Sequence, residues 1–397
     1  MLLKLSKILY NFSSTSPKGY NLYTWSGALG SDLIPRKLTL TDPSGKELNN
    51  KITKVRLGQG HNSLITTEGH LYTWGTNNYG CLGHNDNKQY EKPKLLEFFV
   101  KKNLRVIDVG CGDNFTIALT HDGDVWTWGF GGKQRNFLLK YLFQDGGPLG
   151  HGDQKHHFTP QPVLSLRKLP PTIQISCGVA FCNALTKEKD LFQWGRGQHG
   201  IFGDGIFTEQ LKPRLNQYFT REKQNGTTIE KIKSCNYYSI AKLSNGKIVG
   251  WGSNDFGQMG IQNEIGVELH ETAPFPANLH MQNFKAEIED FKIGEDVLVV
   301  KLLNNQIYYS GMKIAYLPKL FDLPKDVGKI KCFGASYRSF AVVDENNQIY
   351  MFNKFMKHNK EDVHSGIYFA DNKLFNGGNI GKIGGVYRNN YALVEEN

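Results

Sequence analysis

Few residues in this sequence are spaced for chemistry. Gly195-Arg196-Gly197-Gln198-His199-Gly200 has the G-x-G-x-x-G spacing with which a strand-to-helix turn holds a dinucleotide pyrophosphate. That use needs a helix to begin at the glycines. The following Ile201-Phe202-Gly203-Asp204-Gly205 has no helical period, and the run aligns with the turns after Trp74 and Trp251. Ser44-Gly45-Lys46 lacks the upstream glycine and the following hydroxyl of a phosphate loop. The cysteines Cys81, Cys111, Cys177, Cys182, Cys235 and Cys332 include no C-x-x-C pair, so a zinc site of the usual spacing is absent. They read as small packed residues, and free thiols fit a reducing compartment. His84 in Leu82–Asp86 and His151 in Leu149–Asp153 occupy like positions in successive repeats, where turn hydrogen bonding is expected rather than metal ligation. There is no H-E-x-x-H and no G-x-S-x-G. The expectation is a non-enzymatic chain with no catalytic residue, no cofactor and no metal.

The composition says what positions these residues. Glycine numbers 43 in 397 residues, about 11% against a usual roughly 7%. Aromatics are 12%, enough with the aliphatic residues for a sizeable core. Glycines and aromatics in this proportion read as short strands joined by tight turns. No stretch of 18 apolar residues offers a membrane-spanning helix. The net charge of +10 permits RNA or an anionic lipid as partner, but the lysines are scattered and form no basic arm.

The tryptophans set a period. Trp25, Trp74, Trp128, Trp194 and Trp251 lie 49, 54, 66 and 57 residues apart, the spacing of a solenoid or propeller with insertions. Gly58, Gly112, Gly178 and Cys235 each lie 16 residues before the tryptophans from Trp74 onward. Between them run an apolar strand, a polar turn such as Asp122-Gly123 or Asn245-Gly246, and a second strand. Val297–Gly311 and Tyr337–Phe352 repeat the pattern with Ser310 and Phe352 in the tryptophan position. Gly384–Val394 is a first half-repeat and Tyr20–Gly30 a second half. Joined, they make one unit, the way a ring closes without an open sheet edge. The expected fold is all-β: a seven-bladed β-propeller over residues 20–397, with the C-terminal strands paired to the N-terminal strand in one blade.

The repeat of glycine, apolar strand, (D/N)-G turn, Y-T-W-G and then N-x-x-G-x-L-G resembles the regulator-of-chromosome-condensation repeat family, over roughly Tyr20 to Val394. The sixth and seventh copies depart from it by losing the tryptophan and the G-x-L-G turn. The resemblance implies a seven-bladed propeller that binds other proteins. In the family's nuclear member a wedge inserted in the third blade contacts a small GTPase and helps expel its nucleotide.

Two features lie outside the repeat. Residues 1–19 form a basic arm: Leu2, Leu5, Leu9 and Phe12 fall at helical spacing, Lys4 and Lys7 lie on another face, and the first acid is Asp32. This import-like pattern makes the chain most similar to the family's mitochondrial branch and points to the matrix or the matrix face of the inner membrane. The second feature is the insertion at 130–147 in the third blade. It carries Phe137, Leu138, Leu139, Tyr141, Leu142 and Phe143, side chains that must fold back on the propeller or bury in a partner. The irregular segment 353–378 adds Phe355, Tyr368, Phe369 and Phe375. These residues are the expected partner contacts. Trp25, Trp74, Trp128, Trp194, Trp251, Gly58, Gly112 and Gly178 are the structural anchors. The expected function is a scaffold, an accessory subunit of a large mitochondrial assembly such as a respiratory complex or ribosome. The alternatives are a guanine-nucleotide exchange factor for a small GTPase and, more weakly, an RNA-binding protein.

Overall fold

In the computed structural model the described residues are 19–26, 35–41, 47–48, 51–133, 146–261, 272–282, 284–353, 367–370, 375–386 and 389–395. The import-like arm therefore lies almost wholly outside them. Among the described residues the strands assemble into seven four-stranded sheets and one two-stranded ribbon, Leu40–Thr41 with Glu47–Leu48. The chain is a seven-bladed β-propeller. Blades are numbered here from the one containing Trp25.

The chain divides into two compact units. One, Asn50–Asn245, holds blade two (Ile52–Leu57, His61–Thr66, Leu71–Gly75, Tyr90–Leu95), blade three (Val106–Cys111, Phe115–Thr120, Val125–Gly129, His157–Pro162) and blade four (Thr172–Cys177, Phe181–Thr186, Leu191–Gly195, Gln210–Leu215). It also supplies Ile229–Cys235 and Tyr238–Leu243 of blade five. The other unit, Tyr20–Asn49 with Gly246–Asn397, holds Ile248–Gly252 and Ala273–Asn278 of blade five. It continues with blade six (Ile288–Ile293, Val297–Leu302, Ile307–Gly311, Ala315–Leu320) and blade seven (Ile330–Ala335, Ser339–Asp344, Ile349–Asn353, Ile367–Ala370).

Blade one closes as the half-repeats require. Asn21–Ser26 pairs antiparallel with Asn389–Glu395, in the register Asn21 to Val394 through Ser26 to Asn389. Asn389–Glu395 pairs on its other side with Asn379–Val386. The first strand of the chain thus completes a sheet begun by its last two, and its Tyr23 packs with Val343, Ile380, Phe375 and Val394 in one buried cluster.

The repeated residues have repeated jobs. The indole Nε1–H of Trp128 donates to the Cys81 carbonyl at 2.9 Å, and that of Trp194 donates to the Pro148 carbonyl at 2.7 Å. Each acceptor lies in the G-x-L-G turn of the preceding repeat. The closing glycine of that turn, Gly83 or Gly150, has φ near +80°, and a Cβ on it would stand 2.8 Å from the indole nitrogen. Glycine is required there twice over, by its backbone and by the ring lying against it. The turn's asparagine holds it from inside: Asn77 Oδ1 accepts from Leu82 N, and Asn254 Oδ1 accepts from Met259 N. Gly58, Gly112 and Gly178 each donate their backbone N–H three residues ahead, to His61, Phe115 and Phe181, which turns the chain from first to second strand. The backbone of Trp25 lies in its strand. The side chains of Trp128, Trp194 and Trp251 are fully buried and Trp74 is 7% exposed.

Two details differ from the reading of the sequence. In the hairpins the glycine alone takes positive φ (Gly123 +83°, Gly246 +80°), and the same place is filled by Lys189, Asn305 and Asn347 in blades four, six and seven. The four-residue turn needs one left-handed position rather than two, so asparagine or even lysine serves. And segment 353–378 is not irregular throughout. Ile367–Ala370 is the outer strand of blade seven, with Tyr368 opposite Met351 and Phe369 opposite Tyr350. Phe375 is fully buried, edge-on to Tyr23 at 5.5 Å, so it belongs to the core rather than to a docking surface.

Candidate functional site

The candidate site lies in the first unit, where the third-blade insertion leaves its strand. Val125–Gly129 ends at Gly129, and Phe130 N donates to the Asn114 carbonyl at 2.8 Å. Gly132 then bridges antiparallel to Gly146, so the two ends of the insertion meet at a narrow neck. Gly131 N donates to His156 Nδ1 at 3.0 Å, which ties the neck to the segment leading into the outer strand. An N–H can point at Nδ1 only when that nitrogen carries no proton. His156 is thereby fixed as the neutral tautomer with its hydrogen on Nε2, and burial lowers its pKa in the same sense.

Beside the neck three rings pack together. The Phe130 and His156 rings stack at 5.3 Å with 25° between their planes. Tyr79 lies 4.9 Å from Phe130 and 4.8 Å from His156. Tyr79 comes from the turn of blade two, where φ of +58° turns it outward and leaves it 40% exposed. A left-handed tyrosine carries backbone strain, the kind of strain that collects at functional positions. With Lys133, Gln154, Lys155 and Phe158 these rings line an open hollow of about 870 Å³. Lys133, Lys155 and His156 are exposed.

This lining offers two cations, a neutral imidazole N–H and aromatic faces, with no carboxylate among its residues, a combination suited to binding. Among the described residues no group of three His, Cys, Asp or Glu could hold a metal ion. All six cysteines are free. Burial lifts the Cys81 thiol to about 12 and the Cys111 thiol to about 11, which makes both poor nucleophiles.

The histidines of the turns behave as structural groups. Thr73 Oγ1 donates to the Leu82 carbonyl at 2.8 Å and accepts from His84 Nε2 at 3.0 Å. Thr127 Oγ1 donates to Leu149 O at 2.6 Å and accepts from His151 Nε2 at 3.0 Å. Burial, reinforced by Lys94 beside His84 and by His157 beside His151, lowers both pKa values to about 4. Gly195–Gly200 passes from the third strand of blade four into a single turn at Gln198–Gly200, not into an α-helix, so the dinucleotide spacing has no phosphate cradle behind it.

The expected partner contacts Phe137, Leu138, Leu139, Tyr141, Leu142, Phe143 and Phe355 lie outside the described residues. Tyr368 and Phe369 have described backbone only, on the outer strand of blade seven. In blade six the long turn is gone: Met312 and Lys313, both at positive φ, and Ile314 make a three-residue connection from Gly311 into Ala315–Leu320. Tyr79, Phe130 and His156 were not singled out from the sequence. Their signal was a bulky residue inside a glycine turn and the phenylalanine that opens the insertion, and neither reveals that the two meet.

The comparisons with known proteins agree with this architecture. The model of the RCC1-like domain matches residues 21–352. The human E3 ubiquitin-protein ligase HERC2 is 32% identical over 267 residues, which is 65% of this chain and 5% of that protein. The ultraviolet-B receptor UVR8 of Arabidopsis thaliana is 28% identical over 212 residues, 53% of this chain and 43% of the receptor. The chain thus spans a twentieth of the one relative and under half of the other. Among solved structures, Prp20p of Saccharomyces cerevisiae, described with its binding properties to Gsp1p and histones, superposes with a TM-score of 0.73 at 19% identity, covering 100% of this chain and 95% of that one. Human WBSCR16 gives 0.70 at 14% identity, covering 96% and 100%. The closing sheet of blade one, the tryptophan-to-turn hydrogen bonds and the family match over residues 21–352 lead to one conclusion: the chain belongs to the RCC1-like domain family.

Proposed function

We propose that the chain is a protein-binding propeller, an accessory subunit of a large mitochondrial assembly such as a respiratory complex or ribosome, and that a partner protein seats on the hollow at the neck of the third-blade insertion. The observation that carries this reading is the trio Tyr79, Phe130 and His156, packed together and partly exposed between Lys133 and Lys155. Tyrosine and its aromatic neighbours, rigid and amphipathic, are the side chains that concentrate binding energy at protein interfaces. The apolar run Phe137–Phe143, within the insertion in sequence, would extend the same contact. Residues 1–17, amphipathic and free of acid, support import. The test is native purification of tagged wild type and of Tyr79→Ser/Phe130→Ser, with the co-purifying proteins weighed by mass spectrometry. Loss of a stoichiometric partner from the folded variant supports the reading, and wild-type recovery overturns it. Fusion of Met1–Pro17 to a fluorescent reporter tests import separately, and cytosolic fluorescence would count against it.

A second reading is guanine-nucleotide exchange on a small GTPase. The place of the insertion, after the third tryptophan, matches that of the family's nucleotide-expelling wedge, and Prp20p is described with its binding to Gsp1p. Exchange needs no nucleophile, so the chemistry of the hollow agrees with it equally well. Accelerated release of fluorescent GDP from one member of a GTPase panel would favour this reading over the scaffold.

A further inference from the structure

We infer that the segment of partner protein seated in the hollow is acidic, a stretch of aspartates and glutamates with an aromatic residue among them; this rests on the docking reading above and names the chemistry of its partner. Both lysines of the lining spring from backbone that is held in place. Lys133 follows Gly132, which bridges to Gly146 across the neck. Lys155 precedes His156, and its carbonyl lies so close to Gly131 that a Cβ there would collide with it. Two exposed ammonium groups thus stand at one hollow with the rings of Tyr79, Phe130 and His156. Among the described residues neither ammonium forms an ion pair.

Two acids come near without neutralising them. Asp153 Oδ1 accepts from Lys155 N at 3.1 Å, and the Glu209 carboxylate lies against Gly146. Neither pairs with Lys133 or Lys155 among the described residues. The third polar group asks for the same kind of partner. Gly131 N occupies His156 Nδ1, so the ring proton is on Nε2, a donor with no acceptor among the described residues. A carboxylate satisfies it with a charge-assisted hydrogen bond while pairing with the lysines. The exposed face of Tyr79 takes the aromatic residue.

Charge also decides between occupants. The insertion itself, residues 134–145, carries Arg135 and Lys140 against Asp145 alone, so it adds to the positive charge instead of neutralising it. A single-stranded nucleic acid would use the lysines but needs open ring faces for its bases. Phe130 and His156 lie on each other with 25° between their planes, so each has one face already covered. An acidic peptide needs only the ring edges, the lysines and the imidazole N–H. Opposite charge across such a rim steers encounter and fixes register.

The test is fluorescence anisotropy of the full chain with the fluorescein-labelled peptide Glu-Glu-Phe-Glu-Glu-Tyr-Glu-Glu. Saturable binding is expected in about 50 mM salt, severalfold weaker in about 300 mM, where exposed charges are screened. The counterpart with glutamine for every glutamate should bind about tenfold more weakly. Lys133→Glu with Lys155→Glu should weaken the acidic peptide about tenfold or more, Lys133→Arg with Lys155→Arg should keep it, and neither pair should lower the melting temperature. Tyr79→Ser/Phe130→Ser should weaken it as well. No saturable binding, equal binding of the glutamine peptide, undiminished binding by the charge-reversed chain, or tighter binding of an oligouridylate of the same length would overturn the inference. Native purification separates the two levels. A partner lost from Tyr79→Ser/Phe130→Ser but kept by the charge-reversed chain contradicts the acidic chemistry alone, whereas a partner kept by both contradicts docking at the hollow.

Discussion

Replacing Trp194 by phenylalanine tests how the repeats are joined. Trp194 is fully buried, and its indole N–H donates to the Pro148 carbonyl at 2.7 Å. Among the described residues that carbonyl also accepts from the Cys182 thiol at 3.5 Å, a weak donor. Phenylalanine removes the strong donor and leaves a buried carbonyl short of a partner, which costs about 1–3 kcal/mol. The missing ring leaves a void that adds about 1 kcal/mol. The sum is a destabilisation of about 2–4 kcal/mol. Trp128→Phe makes the same change in blade three, but its acceptor, the Cys81 carbonyl, keeps a hydrogen bond from Thr116 Oγ1 at 2.8 Å. It should therefore cost roughly 1 kcal/mol less than Trp194→Phe. Denaturant midpoints of the two variants give the comparison, and hydrogen exchange across Gly147–Gly152 shows whether the loss is local to the turn. Equal costs, or a Trp194→Phe effect below about 0.5 kcal/mol, would refute the reasoning.

Two further outcomes follow from the same structure. Deleting Tyr391–Asn397 removes the strand that pairs with both Asn21–Ser26 and Asn379–Val386, so the circular-dichroism melt should shift sharply downward; an unchanged melt would count against closure. His61, His84 and His151 are each lowered by burial from 6.5 to about 4, so the folded state binds protons less readily than the unfolded chain. Their contribution is fully present above pH 6.5 and is lost as pH falls toward 4. Melting temperatures across that range should fall, and His151→Gln should fall less steeply than wild type.

The fold was legible because each blade repeats its own grammar. The glycine at a fixed distance before the tryptophan, the apolar strands and the complementary half-repeats are local signals, and they specified the number of blades and the closing pair. What could not be read was contact between residues distant in the chain. Ser310 looked like a lost anchor, yet its Oγ donates to the Gln258 carbonyl at 3.1 Å, the bond a tryptophan makes in other blades. Phe352, also in a tryptophan position, makes no such bond; it stacks on Phe340 at 5.4 Å and packs with Tyr309 and Phe321. Phe375 looked available for a partner and is core, because its short turn falls against the closing strand. The candidate hollow was invisible for the same reason. Tyr79 and His156 are 77 residues apart, and they meet because the blade-two turn lies on the outer-strand segment, where Asn85 N donates to the Phe158 carbonyl at 2.9 Å. The ion pairs of Lys54 and Arg56 with Asp108 likewise form between first strands of separate repeats.

The central claim is that a protein partner seats at the neck of the third-blade insertion. Cross-linking from that spot tests it most directly: a photoreactive amino acid placed at Tyr79 in the full chain, expressed in its own cell and irradiated before lysis. The account predicts one dominant adduct to a mitochondrial assembly protein, absent when the same amino acid replaces the exposed Leu164. No adduct at Tyr79, or the same adducts at Tyr79 and Leu164, would contradict it.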